Sequence, residues 1–424
     1  MTDYAAWKPA TRVAFRFCFL YFSLYIVAGQ MLGGMFLLPN FQIPQLGPLP
    51  PMRNINEFFA RYLFGVDAPY VRGNSGDTLF GWVQTAWMLT AATLGTAIWS
   101  VADSRRVEYA TLHKWFRLVV RFALAAQMFF FGFAKVIPTQ FIPPALTTIV
   151  SPVGFLDLAS LLWVFVGAST PYQMFTGWAE VAAAVLLVFP RTTLLGALLC
   201  AVDMVQVLAL NASYDFGLKQ ISFHYILMAL VVAAPDAPRL ANLFLFDRPA
   251  PASRHLPLFR TPHANRAALI AQVAFGVYLA SVFIWLQARQ YDAPDGPAHP
   301  RSPLYGIWDI ERLEIDGRAQ PAALNSYDRR WRRAIFDYPD RMGFQRTDDS
   351  LARYSTTFDA ARQVVVLTKG RSGSYTFRYQ RPADDRLVLD GIMDGEAIHI
   401  EMALVGLDTW PLLNSTFRWV RPPS

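Results

Sequence analysis

Residues 115–137 read WFRLVVRFALAAQMFFFGFAKVI, and this stretch decides the class of the protein. It is long enough to cross a bilayer, which takes about 20 apolar residues, yet it nears its end on a lysine, Lys135. Three more apolar stretches follow, and each holds an ionisable residue well inside it. YQMFTGWAEVAAAVLLVF (172–189) carries Glu180, TTLLGALLCAVDMVQVLAL (192–210) carries Asp203, and GLKQISFHYILMALVVAA (217–234) carries His224. A charge in hydrocarbon is expensive, so such groups face a protein interior and mark a pathway or pocket.

Working outward, further spans occur near 13–38, 79–101 and 267–286, which makes seven. Hydrophobic residues make up 54% of the chain and charged ones 16%, a balance far from that of a soluble domain. Prolines punctuate the spans: Pro39, Pro44 and Pro48 close the first, and Pro138, Pro143 and Pro144 close the third. The run 158–168 is too short to span and reads as an interfacial or re-entrant piece. The expected organisation is an N-terminal pair of transmembrane helices with a long outer loop (1–110), then a four-helix membrane core (111–237). A cytoplasmic connector (238–264), a last transmembrane helix (265–290), a Pro-rich linker (291–303) and a soluble tail (304–424) complete it.

Basic residues occupy alternate loops. Lys8, Arg12 and Arg16 precede the first span, Arg105, Arg106 and Lys114 precede the third, and Arg191 precedes the fifth. Arg239, Arg248, Arg254, Arg260 and Arg266 precede the last, whereas 138–171 has no Lys or Arg. The positive-inside rule makes the N-terminus cytoplasmic. Seven spans then put the tail outside a bacterial plasma (inner) membrane. Lys114, Arg117 and Arg121 share one helix end and read as anchors at lipid phosphates. No clustered basic face exists in the tail, which excludes nucleic acid as a partner; the lipid bilayer is the expected one. The two cysteines, Cys18 and Cys200, form no C-x-x-C, and the six histidines are scattered, so neither thiol exchange nor a metal site is expected.

The tail alternates apolar and polar residues in short runs near 304–315, 331–336, 353–358, 364–368, 374–379, 387–389, 397–403 and 416–420. Asp394-Gly395 is a strong hairpin dipeptide. Eight or so antiparallel strands predict an all-β small barrel, either holding one small ligand or filled by its own side chains. Gly306-x-Trp308 near the first strand, with Arg418 on the last, resembles the lipocalin closure, in which an Arg covers the Trp at the barrel floor. Residues 329–333 (RRWRR) read as an exposed edge strand or an anionic contact, and His399 as solvated.

Several motifs of the core carry a wider resemblance. They are Arg117-Leu-Val-Val-Arg121, Phe131-Gly132-Phe-Ala-Lys135, Gly177-Trp-Ala-Glu180, Arg191-Thr-Thr-Leu-Leu-Gly196, Asn211-Ala-Ser-Tyr214-Asp215 and Ser222-Phe-His224. Through these, 115–236 resembles the DoxX family of bacterial membrane proteins, in a longer branch with extra helices and a C-terminal β domain. The resemblance implies an all-α polytopic membrane helix bundle, about seven spans around a DoxX-like four-helix core, followed by a lipocalin-like small barrel. It keeps Lys135, Glu180 and His224. It departs at Asp215-Phe-Gly-Leu-Lys219, where the branch has Asp-Val-Pro-Val-Lys, and at Ser415-Thr-Phe-Arg-Trp419, where the branch has a His. Some family members are named as thiosulfate:quinone oxidoreductase subunits, which implies quinone as the cofactor and a soluble redox partner as electron donor.

Helix rise puts Glu180, Asp203 and His224 at similar depth, roughly 10–12 Å from the outer ends of their spans. Gln127 lies deeper, Gln206 shallower beside Asp203, and Lys135 at the rim. Glu180, Asp203, His224 and Lys135 are therefore the candidate pocket or proton-relay residues, with Gln127 and Gln206 as supporting cofactor contacts. Two readings stay open: an outward-facing polar pocket, or interhelical hydrogen bonds that hold the bundle. Three functions suit these features. They are a membrane component of a quinone-linked redox system, a non-catalytic unit that binds or passes a small apolar molecule, and an anchor displaying the barrel. The topology itself is testable. A periplasm-active reporter fused after Ser424 should be active, and one fused near Arg254 silent; the reverse pattern would exclude this orientation.

Overall fold

The computed structural model describes residues 6–38, 41, 43–71, 77–252, 257–294, 296–321, 330–370, 373–414 and 419–420. It divides into two compact units, Met1–Gln140 with Pro171–Gln290, and Phe141–Thr170 with Tyr291–Ser424.

Helices build the first unit. The long ones are α1 (Pro9–Ala28), α2 (Leu79–Ala102), α3 (Ala110–Val136), α4 (Thr170–Val188), α5 (Thr193–Ser213), α6 (Lys219–Ala233) and α7 (Pro262–Tyr291). Five are long and apolar enough to cross a membrane: α1, α3, α5, α6 with its continuation to Phe244, and α7. The other two, α2 and α4, lie where spans are predicted but are not among these five; polar residues within them include Gln84, Thr85 and Thr90 on α2 and Gln173 and Glu180 on α4. Such groups can be satisfied within the helix: Thr90 and Thr93 donate to the carbonyls of Ala86 and Leu89 at 2.9 and 2.8 Å.

α3 is the centre of this unit. Val120, Ala123, Leu124, Ala125, Ala126 and Met128 are fully buried, and the run of small residues lets neighbouring helices approach closely. The outer faces are apolar, with Val101 and Ile98 on α2, Phe175 on α4, Val202 on α5 and Val277 on α7 all exposed. Arg16, counted above among the loop cations, is instead buried on α1. It donates to Tyr109 Oη at 2.7 and 3.0 Å, to Ser100 Oγ at 2.9 Å and to the Asp103 carbonyl at 2.9 Å, tying α1 to the α2–α3 turn.

The second unit is a closed antiparallel barrel. Strands β1 (Gly306–Ile315), β2 (Arg318–Ala319), β3 (Trp331–Tyr338), β4 (Arg341–Arg346), β5 (Leu351–Asp359), β6 (Val364–Lys369), β7 (Gly373–Ala383), β8 (Arg386–Met393) and β9 (Glu396–Leu404) pair in sequence. The short β2 hangs on the end of β1, and β1 also pairs with β9, so eight strands close on themselves. Both residues of the Asp394-Gly395 turn have positive φ, 54° and 84°, as a two-residue hairpin of this hand requires. Gly306 is needed for two reasons: its φ is 145°, and a Cβ there would meet Leu404 Cδ1 at 2.6 Å.

Side chains fill the barrel interior: Trp308, Phe336, Phe344, Phe377, Leu389 and Ile400 are all buried there. The ring of Trp308 has a guanidinium over it, but from β7: Arg381 Cζ is 5.7 Å from its centroid. Of the run predicted at 416–420, residues 416–418, with Arg418, lie outside the described residues, Trp419 and Val420 are exposed and outside any strand, and it is β9 that pairs with β1.

β4 is a strand that the alternation pattern misses. Its Gly343 and Gln345 face a covering segment, Phe141–Thr170, that belongs to this unit rather than to the helical one. There the short helix Leu146–Ile149 packs Leu146 and Val150 on Ile307 and Ile335. Asp337 accepts the Leu146 N–H at 2.8 Å, and Gln345 Nε2 donates to the Val150 carbonyl at 3.0 Å. Burial pushes the Asp337 carboxyl pKa up, against the Leu146 N–H, which lowers it. The predicted interfacial run forms a helix, Leu158–Gly167, whose N-terminus Asp157 caps through the Ser160 N–H at 2.7 Å.

Two expectations for the barrel surface change. β3 lies between β1 and β4 and is not an edge; its Trp331 is buried and stacked on Phe344 at 4.3 Å, while Arg329 lies outside the described residues. His399 is half-buried and touches Asp390 at 2.6 Å and Glu401 at 3.2 Å. Hydrogen bonding to Asp390 leads in holding its pKa above the ordinary 6.5. Because Trp308 fills the barrel and donates to the Leu304 carbonyl at 2.9 Å, Trp308→Ala should cost about 3–5 kcal/mol. Limited proteolysis of the full-length protein should then cut within the barrel at lower denaturant; unchanged resistance would show that Trp308 is dispensable.

Candidate functional site

Two glycines set the geometry of the helical unit's polar centre. A Cβ on Gly132 of α3 would meet Val181 Cγ2 at 2.8 Å and the Gly177 carbonyl oxygen at 3.0 Å. One on Gly177 of α4 would meet the Gly132 carbonyl oxygen at 2.7 Å. The helices therefore touch backbone to backbone, as small residues permit in apolar surroundings. Lys135 and Glu180 each lie three residues farther along, on the same face as their glycine. Lys135 Nζ reaches Glu180 Oε1 at 2.9 Å and Oε2 at 2.8 Å, with both side chains buried, and lies 5.7 Å from the Phe131 ring centroid.

The α4–α5 hairpin then brings in Asp203. Gly196 lies against Leu186 and Leu187, the turn is tied by Thr192 Oγ1 to the Leu186 carbonyl at 2.7 Å, and Cys200 is fully buried near both carboxylates. Asp203 lies close enough to sense Glu180 and Lys135. Its Oδ2 is buried without a hydrogen-bond partner.

His224 belongs to a different group. Asp77 caps α6 by accepting the N–H groups of Lys219 and Gln220 at 2.9 and 2.8 Å. Gln220 ties the same end to α2, donating to Thr85 Oγ1 at 2.6 Å. His224 Nδ1 lies 2.7 Å from the Gln220 carbonyl, which can only accept, so Nδ1 carries the hydrogen. In the neutral ring, Nε2 then accepts from Tyr21 Oη at 2.6 Å. The ring stacks on Tyr25, centroids 4.2 Å apart and planes 3° apart.

A third group joins the other two. Gln127 is buried and accepts from Gln30 Nε2 and Tyr225 Oη, both at 2.9 Å. Tyr225 follows His224 on α6, and its ring lies 6.4 Å from that of Phe131. Beside these groups is a cavity of 420 Å³ whose walls include Tyr25, Gln30, Gln84, Phe131, Gln220 and Tyr225. None of the four ionisable residues lines this cavity. Tyr25 stands between the cavity and His224, and Phe131 between it and Lys135.

Gln206 is placed differently from its expectation. It is exposed, because α5 buries only the stripe through Gly196, Ala197, Cys200, Met204 and Asn211, and Gln206 lies on the opposite side of the helix. The residues not anticipated are Tyr21, Tyr25, Gln30, Gln84 and Tyr225. Their signal was present: Tyr21 and Tyr25 are one turn apart in an apolar helix, which brings two hydroxyls to one face.

No family model matches the chain, and no solved structure matches it. A stretch of 126 residues, 29% of the chain, is 32% identical to the "Uncharacterized protein YwoB" of Bacillus subtilis (strain 168) and covers 79% of that protein. The chain belongs to the YwoB family. That relationship reaches less than a third of the chain's length and brings no activity with it.

The Lys135–Glu180 pair makes a sharp energetic prediction. Removing one member leaves a buried charge alone, at about 3–5 kcal/mol, whereas replacing both by apolar residues is close to neutral. Lys135→Met and Glu180→Leu should each lower the melting temperature in micelles, and the double variant should recover most of the loss. Additive losses would show the pair to be uncoupled.

Proposed function

We propose that this chain is a DoxX-type integral membrane protein of a bacterial plasma membrane, with seven spans, a cytoplasmic N-terminus and an extracytoplasmic lipocalin-like barrel. In this reading its helical unit is the membrane component of a quinone-linked redox system, and a soluble redox partner donates electrons. The apolar outer faces of the helices and the alternation of loop charges support the membrane assignment.

The observation that carries the quinone reading is the 420 Å³ cavity, with aromatic walls and a buried amide nitrogen, Gln84 Nε2, that has no partner. A quinone ring suits such walls, and a rotation of the Gln84 amide, now packed against Gly47, would bring that orphaned donor to its carbonyl oxygen. Bound quinone would supply two-electron, two-proton redox chemistry. Tyr225, Gln30 and Gln84 would orient the ring. His224, buffered from the cavity by Tyr25, holds a proton at Nδ1 and can accept another at Nε2. Asp203 offers a carboxylate that no hydrogen bond at Oδ2 ties down, and Lys135 balances the charge of Glu180.

One observation favours the alternative of binding or passing a small apolar molecule without redox chemistry: both ring nitrogens of His224 and the whole Lys135–Glu180 pair are satisfied within the protein. Fluorescence titration of the detergent-purified protein with a short-chain ubiquinone analogue tests the site. Gln84→Leu should weaken binding about three- to tenfold, as loss of one hydrogen bond does; Tyr225→Phe should weaken it by releasing Gln127 and Gln30 from the positions its hydroxyl holds, and Gln206→Ala should not. Binding insensitive to both variants would remove the cavity from consideration. Binding of non-quinone apolar compounds with equal strength would favour the alternative.

A further inference from the structure

A second cavity of the helical unit, 780 Å³ in volume, lies between the first half of α3, the α4–α5 turn and α7. Lys114, Arg117, Arg121 and Arg191 all line it, and no Asp or Glu does among the described residues. The cations differ in how they are held. Lys114 donates to the carbonyls of Pro257 and Leu258 at 3.2 and 2.7 Å. Arg117 shares Asp236 with Arg239, at 3.3 and 2.7 Å. Arg191 stands exposed.

Arg121 is the informative one. It is only 6% exposed, turned inward rather than out to lipid phosphates as its sequence position implied. Nη1 donates to Thr193 Oγ1 at 3.1 Å and Nη2 to Gln272 Oε1, both neutral acceptors, while Nε is buried with no partner. The neighbouring charge that it senses is another cation, Arg117. A buried guanidinium without a counter-ion is costly, and an anion in the cavity would relieve it. The remaining wall is apolar, through Leu118, Phe189, Leu258 and Leu269. An apolar cavity of 660 Å³ adjoins it, sharing Leu118, Leu258, Ala268 and Gln272.

We propose that this cavity binds the phosphate head of an anionic phospholipid. A guanidinium presents paired donors that match two phosphate oxygens, and Lys114 and Arg191 add charge. Free phosphate would satisfy these groups but leave the apolar wall uncovered, whereas an acyl chain covers it. The site is separate from the 420 Å³ cavity and shares no residue with it.

The test uses the full chain in a neutral detergent, with native mass spectrometry and thermal unfolding after addition of phosphatidylglycerol, phosphatidylcholine or inorganic phosphate. Phosphatidylglycerol should form a one-to-one adduct and raise the melting temperature, and the other two should do neither. Arg121→Gln, which keeps donors for Thr193 and Gln272, and Arg191→Ala should each weaken phosphatidylglycerol binding, Arg121→Gln about tenfold or more. Should Arg121→Gln fail to fold, Arg191→Ala and Lys114→Ala decide by the same adduct measurement. Equal binding of the two lipids, or full phosphatidylglycerol binding by the variants that fold, would overturn the proposal. Stabilisation by inorganic phosphate as large as that by the lipid would overturn it too, because the site would then serve a soluble phosphate.

Discussion

The polar centre of the helical unit depends on one close approach, that of Gly132 to Gly177. Backbone contact between α3 and α4 leaves no room for a side chain at either position, and it sets Lys135 and Glu180 within reach of each other. A buried ion pair repays its desolvation only when the geometry is tight, and here one ammonium meets both carboxylate oxygens. The rest follows along the chain. With α4 fixed, the Gly196 contact folds α5 back on it, so Asp203 comes near the pair. α6 returns beside α5 and delivers Tyr225 to Gln127 and His224 to the tyrosines of α1.

How much of this could be read from sequence depends on the kind of signal. Single ionisable residues in apolar spans named Lys135, Glu180, Asp203 and His224, because any charge there must have a reason. Distance along a helix was legible, since rise per residue is fixed. Direction around the helix was not: His224 and Tyr225 are adjacent, yet one joins Tyr21 and the other Gln127. Gln206 failed for the same reason, since α5 packs along one narrow stripe. Tyr225 and the glutamines of the cavity carry no charge that would flag them as costly, and only the one-turn spacing of Tyr21 and Tyr25 pointed there.

The barrel shows a related ambiguity. Period-two alternation is clear on β5 and β7, where one face is polar. It blurs on β1 and β3, where Ile307 and Ile335 point outward, away from Trp308 and Phe336, and are covered by Leu146 and Val150. Strands buried on both faces read as continuous apolar runs. On β4 the covering segment accepts Gly343 and a buried Gln345, neither of which resembles a strand residue, so that strand disappeared from the pattern. A segment 141–170, distant in sequence, decides how these strands look.

Counting basic residues treats each as a point charge in a loop, and the helical unit uses several of them otherwise. Arg16 braces a helix turn and Arg117 is held by Asp236, so both have structural partners. Arg121 is braced only by neutral acceptors and keeps one donor unmet. The same distinction separates the two ends of α3. Near Lys135 the buried cation has its carboxylate, and the adjoining cavity is screened from it by Phe131; near Arg121 the cation borders its cavity directly and has none. The first arrangement suits a neutral ligand held by aromatic walls and uncharged donors. The second leaves positive charge uncompensated, and an anion is the complement that this chain does not itself provide among the described residues.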